Sequence, residues 1–214
     1  ARAVQGEGGF PEAEITLGTR HELGVSWLVP QLDRLAKKYP TLHTHLYFGS
    51  GPDLVLRVRT MEIDCAVTST RFTDPKIHEL RLQREDYVFV GAPSLLAKTP
   101  FRKPEHATSH TLLDISAELP LFRYLRDAGV DLRFAGVVRL GTIAAIRARA
   151  LAGAGVAVLP LYFVTADLQK NALARVLPKT APAHDYFRLI FRADDPRRVV
   201  YEGLAKAFSE EPLK

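Results

Sequence analysis

The chain has 214 residues, of which 47% are hydrophobic and 25% charged, with a formal net charge of +5 and a pI of about 9.4. That balance excludes a disordered chain and supplies enough apolar side chains for one large core or two small ones. Its longest apolar stretches, such as residues 156–164, are far shorter than the roughly 20 residues of a membrane span, so a soluble protein with no membrane partner is expected. The basic residues are scattered rather than gathered on one helix face, and charge alone does not single out nucleic acid. One cysteine, Cys65, rules out an internal disulfide and reads as a small buried hydrophobe in an apolar run. Residues 1–14 carry no apolar segment of the kind that heads a secreted chain.

In chain order, residues 15–19 read as a strand, and Leu28, Leu32, Leu35 and Tyr39 then recur at helical spacing up to a stop at Pro40. Leu42, Leu46 and Phe48 alternate with His43, His45 and Tyr47, which predicts a second strand. The chain turns at Gly49, Ser50 and Gly51 into a short helix opened by Pro52, and residues 63–67 predict a third strand. This spacing suits right-handed crossovers that build a parallel sheet covered on both faces. Residues 68–84 are polar, contain Asp74 and Pro75, and predict a connection, with Glu85 and Asp86 in an exposed turn.

A strand at 87–91 opens a second unit, followed by helices near 94–98 and 119–128 and a strand at 134–140. Thr142 is placed to cap a helix through 151, which Gly153 and Gly155 end before an apolar strand at 156–159. Another helix, strands at 174–177 and 186–192, and a helix from 196 to 208 opened by Asp194, Asp195 and Pro196 complete the chain. Two alternating units predict two α/β lobes with a cleft between them; a single sheet is the other arrangement the pattern permits.

In open parallel sheets ligands gather beyond the carboxyl ends of strands, where helix N-termini present N–H groups. Those ends carry Thr19, Arg20 and His21, then Ser50 and Gly51, then Ser69 and Thr70, and in the second unit Gly141 and Thr142. Hydroxyls with N–H groups can hold a carboxylate, sulfate or phosphate, and Arg20 would add a guanidinium fork, so an anionic ligand is expected. Any one hydroxyl is better explained as a helix cap, and it is their clustering at one edge that favours a ligand; Arg20 and His21 also fit solvated loop residues. His43 and His45 share a strand face without a third ligand at a recognisable spacing, so no metal is expected, and no cofactor motif is present. No nucleophile elbow or zinc-protease motif occurs; an enzyme would have to use His21 with Ser50 or Ser69.

The stretch 15–67 resembles the first half of the effector-binding domain of LysR-type transcriptional regulators. The resemblance runs through Leu28, Val29 and Pro30, then Tyr39 and Pro40, then Gly49 and Ser50, and then Leu54, Val58, Ile63, Asp64 and Ala66. Glu62 departs from the family's glycine-bearing segment. The most specific match is Ala152, Gly153, Ala154, Gly155, Val156, Ala157, Val158, Leu159 and Pro160, against an "aGxGvallP" element. The resemblance implies an α/β fold of two Rossmann-like lobes, periplasmic-binding-protein-like. It allots residues 1–13 to a hinge remnant, 14–86 to lobe I, 87–192 to lobe II and 193–214 to a helix returning to lobe I. It implies no enzyme but a cytoplasmic sensor that binds a small effector in the interlobe cleft and forms a homodimer. Promoter DNA and RNA polymerase would be partners only of the full-length protein, whose DNA-binding part this chain lacks. A periplasmic solute-binding protein of a transporter is the alternative with the same fold.

Overall fold

The computed structural model of the chain describes residues 12–213. In chain order its strands are Ala13–Thr19 (β1), Leu42–Phe48 (β2), Cys65–Thr68 (β3), Ile77–Glu85 (β4), Tyr87–Gly91 (β5), Thr111–Asp114 (β6), Gly136–Arg139 (β7), Val156–Pro160 (β8), Ala174–Arg175 (β9) and Asp185–Arg192 (β10). They form two five-stranded sheets, ordered β2-β1-β3-β10-β4 and β7-β6-β8-β5-β9. The first sheet belongs to a unit made of residues 12–84 and 186–213, and the second to a unit of residues 85–185. Each sheet mixes directions. β1 is parallel to β2 and β3, whereas β10 runs antiparallel to β3; β6 is parallel to β7 and β8, whereas β5 is antiparallel to β8 and β9.

Helical backbone follows β1 directly, but not as one α-helix. Pro30 has no N–H for the carbonyl one turn back, and its ring crowds that carbonyl. The run therefore divides into His21–Leu23 (α1), a π turn at Gly24–Leu28, a 3-10 turn at Val29–Gln31 and Leu32–Lys38 (α2). Gln31 Nε2 donates to the Trp27 carbonyl at 3.0 Å, supplying a side-chain partner inside the broken segment. Trp27 itself packs between Phe187 and Phe208, at ring-centroid distances of 6.0 and 5.8 Å. The helix thus starts seven residues before the expected Leu28, because Gly24 and Pro30 interrupt the apolar period.

Gly51–Arg59 (α3) covers one face of the first sheet. Its Leu54 and Val58, one turn apart and fully buried, meet Ile63, Ala66, Ile77 and Ile190. The last helix of this unit, Arg198–Ser209 (α8), buries Val200, Tyr201, Leu204, Ala207 and Phe208. In the second unit the helices are Pro93–Lys98 (α4), Arg123–Asp127 (α5), Ile143–Leu151 (α6) and Leu161–Gln169 (α7); Arg198–Ser209 (α8) closes the first unit. The second core is built from β5, β6 and β8 with Phe122, Leu125, Ile143 and Ile146, and Tyr87 stacks on Tyr124 at 3.7 Å.

Several expectations are corrected. Residues 77–85, expected within a connection, are the edge strand β4; charged side chains such as Glu79, Arg81 and Arg84 are usual on an edge and mask its short alternation. Glu85 is 1% exposed rather than in an exposed turn. The strand at 111–114 was hidden in a His- and Thr-rich loop. Strand β10, placed by sequence in lobe II, lies between β3 and β4 of the first sheet, so the boundary expected at 192 falls at 185. Gly153 does end α6, with φ +73°, but Gly155 has another reason: a Cβ there would stand 2.4 Å from the Thr111 carbonyl oxygen. Of the expected hinge remnant at 1–13, residues 1–11 lie outside the described residues. Among the described residues no helix is long and apolar enough to cross a membrane.

Candidate functional site

Because β1, β2 and β3 are parallel, their carboxyl ends line one edge of the first sheet, and the chain leaves that edge at Arg20, Gly49 and Ser69. At the first exit Thr19 is fully buried and its Oγ1 donates to the Arg20 carbonyl at 3.3 Å. Arg20 has extended backbone, φ −71° and ψ 149°, and opens α1; its guanidinium carbon lies 5.8 Å from the centre of the Phe187 ring. His21 is exposed and rests on Phe48 at a centroid distance of 5.5 Å.

The second exit is a capped helix start. Ser50 is extended, φ −74° and ψ 160°, and its Oγ accepts the Asp53 N–H at 3.4 Å. Asp53, in the first turn, accepts from the Tyr47 hydroxyl at 3.0 Å and the Arg57 Nε at 2.8 Å, so its carboxylate is directed to the flank of α3. Burial and this carboxylate together push the Tyr47 phenol above its ordinary value.

At the third exit Thr68 and Ser69 are buried, and Thr68 Oγ1 accepts the Thr70 N–H at 3.1 Å. That small turn brings Thr70 against the first residue of α3. A Cβ on Gly51 would stand 1.8 Å from Thr70 Oγ1, so the close approach requires glycine. The first exit joins the same edge through the Gly49 N–H, which donates to the Thr19 carbonyl at 3.0 Å. Sequence placed Thr19, Ser50, Gly51, Ser69 and Thr70 at this edge but missed Thr68, whose hydroxyl shapes the last turn.

Gly141 and Thr142 occupy the corresponding place in the second unit, between β7 and α6, and both are exposed. Thr142 Oγ1 accepts the Ala145 N–H at 3.2 Å, as its position suggested. The neighbouring strand end is filled from within. Asp114, at the end of β6, accepts from the N–H groups of Ile115, Leu121 and Phe122 at 2.7, 2.7 and 3.3 Å. Burial raises its carboxyl above the ordinary value even though these N–H groups favour the charged form. Donors there serve the fold rather than an outside anion.

Elsewhere, His43 is exposed on β2, and His45 Nε2 lies 2.9 Å from Glu14 Oε1. Among the described residues no group of three or more His, Cys, Asp or Glu is placed to hold a metal ion. Cys65 is fully buried, and burial holds its thiol well above the ordinary value, which makes it a poor nucleophile.

Comparison with known proteins agrees with this architecture. The LysR substrate binding domain family matches residues 8–211. A curated relative, the glycine cleavage system transcriptional activator homolog of Haemophilus influenzae, is 24% identical over 188 residues, 86% of this chain; the chain spans 60% of that relative's length. Among solved structures, the reduced form of the regulatory domain of OxyR2 from Vibrio vulnificus superposes with a TM-score of 0.78 at 15% identity, covering 93% of this chain and 95% of that one. The regulatory domain of CrgA from Neisseria meningitidis gives a TM-score of 0.68 at 17% identity, covering 92% of this chain and all of the other. Such regulatory domains have the periplasmic-binding-protein-like fold of two α/β units. With the family matched over nearly its whole length, the chain belongs to the LysR substrate-binding domains.

Proposed function

We propose that this domain senses a small anionic effector for a longer transcriptional regulator, and that the effector is held at the strand-end edge of the first unit. Thr19, Arg20 and His21, Ser50 and Gly51, and Ser69 and Thr70 supply the contacts, and Gly141 with Thr142 offers a similar helix start in the second unit. The observation that carries the reading is the convergence of Gly51, Thr68 and Thr70, where side-chain bulk is reduced and hydroxyls surround the start of α3. A helix start of this kind favours negative charge through its N–H groups and its dipole. In the longer protein the effector would act by preferring one conformation of the domain over another, since equal affinity for both would switch nothing. Homodimer formation, contact with promoter DNA and RNA polymerase, and a cytoplasmic location belong to the same proposal.

The test is a thermal-shift screen of the domain against acetate, malonate, succinate, benzoate, glutamate, sulfate and phosphate, at ionic strength matched with sodium chloride. A ligand at about 100 times its Kd should stabilise the domain by about 2.7 kcal/mol. The expected result is stabilisation by at least one anion that Ser50→Ala or Gly51→Ala weakens. Stabilisation indifferent to both substitutions would refute the placement.

A further inference from the structure

The antiparallel pairing of β10 with β3 sets Arg188 directly opposite Thr68. Opposed residues in such a pair project from the same face, with Cβ atoms about 5 Å apart. Two residues along, on that same face, Ile190 opposes Ala66, and both pack under Leu54 and Val58 of α3. Arg188 therefore continues the row that α3 covers, toward the end where Gly51 and Thr70 touch. Its side chain is only 16% exposed; one terminal nitrogen donates to the Tyr186 carbonyl at 2.8 Å, and Nε lies 3.4 Å from Glu79 Oε2. Glu79, on the neighbouring edge strand β4, is 52% exposed.

Thr68 and Arg188 thus stand opposite each other on β3 and β10, on the face that α3 covers, and the Arg188 side chain reaches Glu79 on β4. An anion entering this edge would meet both a guanidinium and the start of a helix, each of which favours negative charge. The carboxylate in the first turn of α3, Asp53, is engaged by Tyr47 and Arg57 and leaves that place to a ligand.

We propose that Arg188 is the specificity-determining residue of this edge: it selects a compact carboxylate or inorganic oxyanion, with Glu79 as the counter-ion that the ligand displaces. The inference rests on the effector site argued above and names the group that gives it its charge preference. A planar guanidinium can present two parallel N–H donors to such a head group.

The experiment titrates the domain with whichever of acetate, malonate, succinate, benzoate, sulfate or phosphate stabilises it most, by calorimetry, with apo thermal unfolding as the check on folding. Arg188→Gln should raise the apparent Kd at least about tenfold, and Arg188→Lys should recover only part of that loss. Glu79→Gln should lower the Kd, a gain that a merely structural role for the row would not produce. If Ser50→Ala weakens binding while Arg188→Gln does not, this inference fails and the site stands. If none of the six anions stabilises the wild-type domain, this inference fails, and if glutamate does not stabilise it either, the site fails with it.

Discussion

Asp195 offers the sharpest test of the energetics. Its Oδ1 accepts from the Arg197 N–H at 2.9 Å and Nε at 3.0 Å, and its Oδ2 from the other arm of that guanidinium and the Tyr201 hydroxyl, each at 2.8 Å. The same guanidinium reaches Asp64, whose other oxygen accepts the Thr16 N–H, so the cluster joins β1, the residue before β3, and α8. Burial of a side chain only 9% exposed pushes the Asp195 carboxyl up, but these donors outweigh it and bring the group down from 3.8 to about 2. A group whose folded value lies below its unfolded value contributes stability above the unfolded value and loses it as pH falls toward the folded one. At 1.36 kcal/mol per pKa unit the carboxylate contributes about 2 kcal/mol at neutral pH, of which about 1 kcal/mol is gone by about pH 3. Urea unfolding of wild type and Asp195→Asn at several pH values reads this directly. The variant should be less stable by about 2 kcal/mol near pH 7, and the gap should narrow as the medium is acidified. A gap that stays constant between about pH 7 and 3 would refute the assignment of the stabilisation to the ionised carboxylate.

Two further substitutions probe the packing that holds the candidate site. Leu54→Ala, which removes a fully buried side chain from beneath α3, should destabilise the first unit by about 3 kcal/mol in chemical denaturation; a loss well under 1 kcal/mol would mean that α3 is not anchored there. Gly155→Ala drives a methyl group into the Thr111 carbonyl oxygen and should cost about 2 kcal/mol, with a fall in the denaturation midpoint. An unchanged midpoint would show that β8 and β6 part easily at this point.

Most of the elements were legible because their apolar periods are clean. The strand before Thr19, the capped start at Ser50 and the run into Pro160 each follow from local pattern and a turn residue. The broken helix was read too short because its first part has no regular period: Gly24 and Pro30 replace a smooth α-helix with π and 3-10 turns. Strand β4 was missed because charged and polar residues dominate it, and its alternation, kept from His78 to Leu82, breaks at Gln83 and Arg84. The site divides along the same line. Thr19, Ser50, Gly51, Ser69 and Thr70 could be placed at one edge, since a parallel sheet aligns its carboxyl ends. Arg188 could not, because the pairing that sets it opposite Thr68 joins residues 120 positions apart.

The insertion of β10 between β3 and β4 orders events during synthesis. Among the described residues strand β4 pairs only with β10, and β10 follows it by about a hundred residues, so the first sheet stays open along β3 until the second unit has been made. Residues 85–185 carry their own five strands and core and can fold as soon as they emerge. The candidate site, built on the first sheet and completed by Arg188, is then the last part of the molecule to mature. An unpaired strand invites association with other chains during that interval. Variants that slow folding of the second unit should thus lower yield by exposing the first.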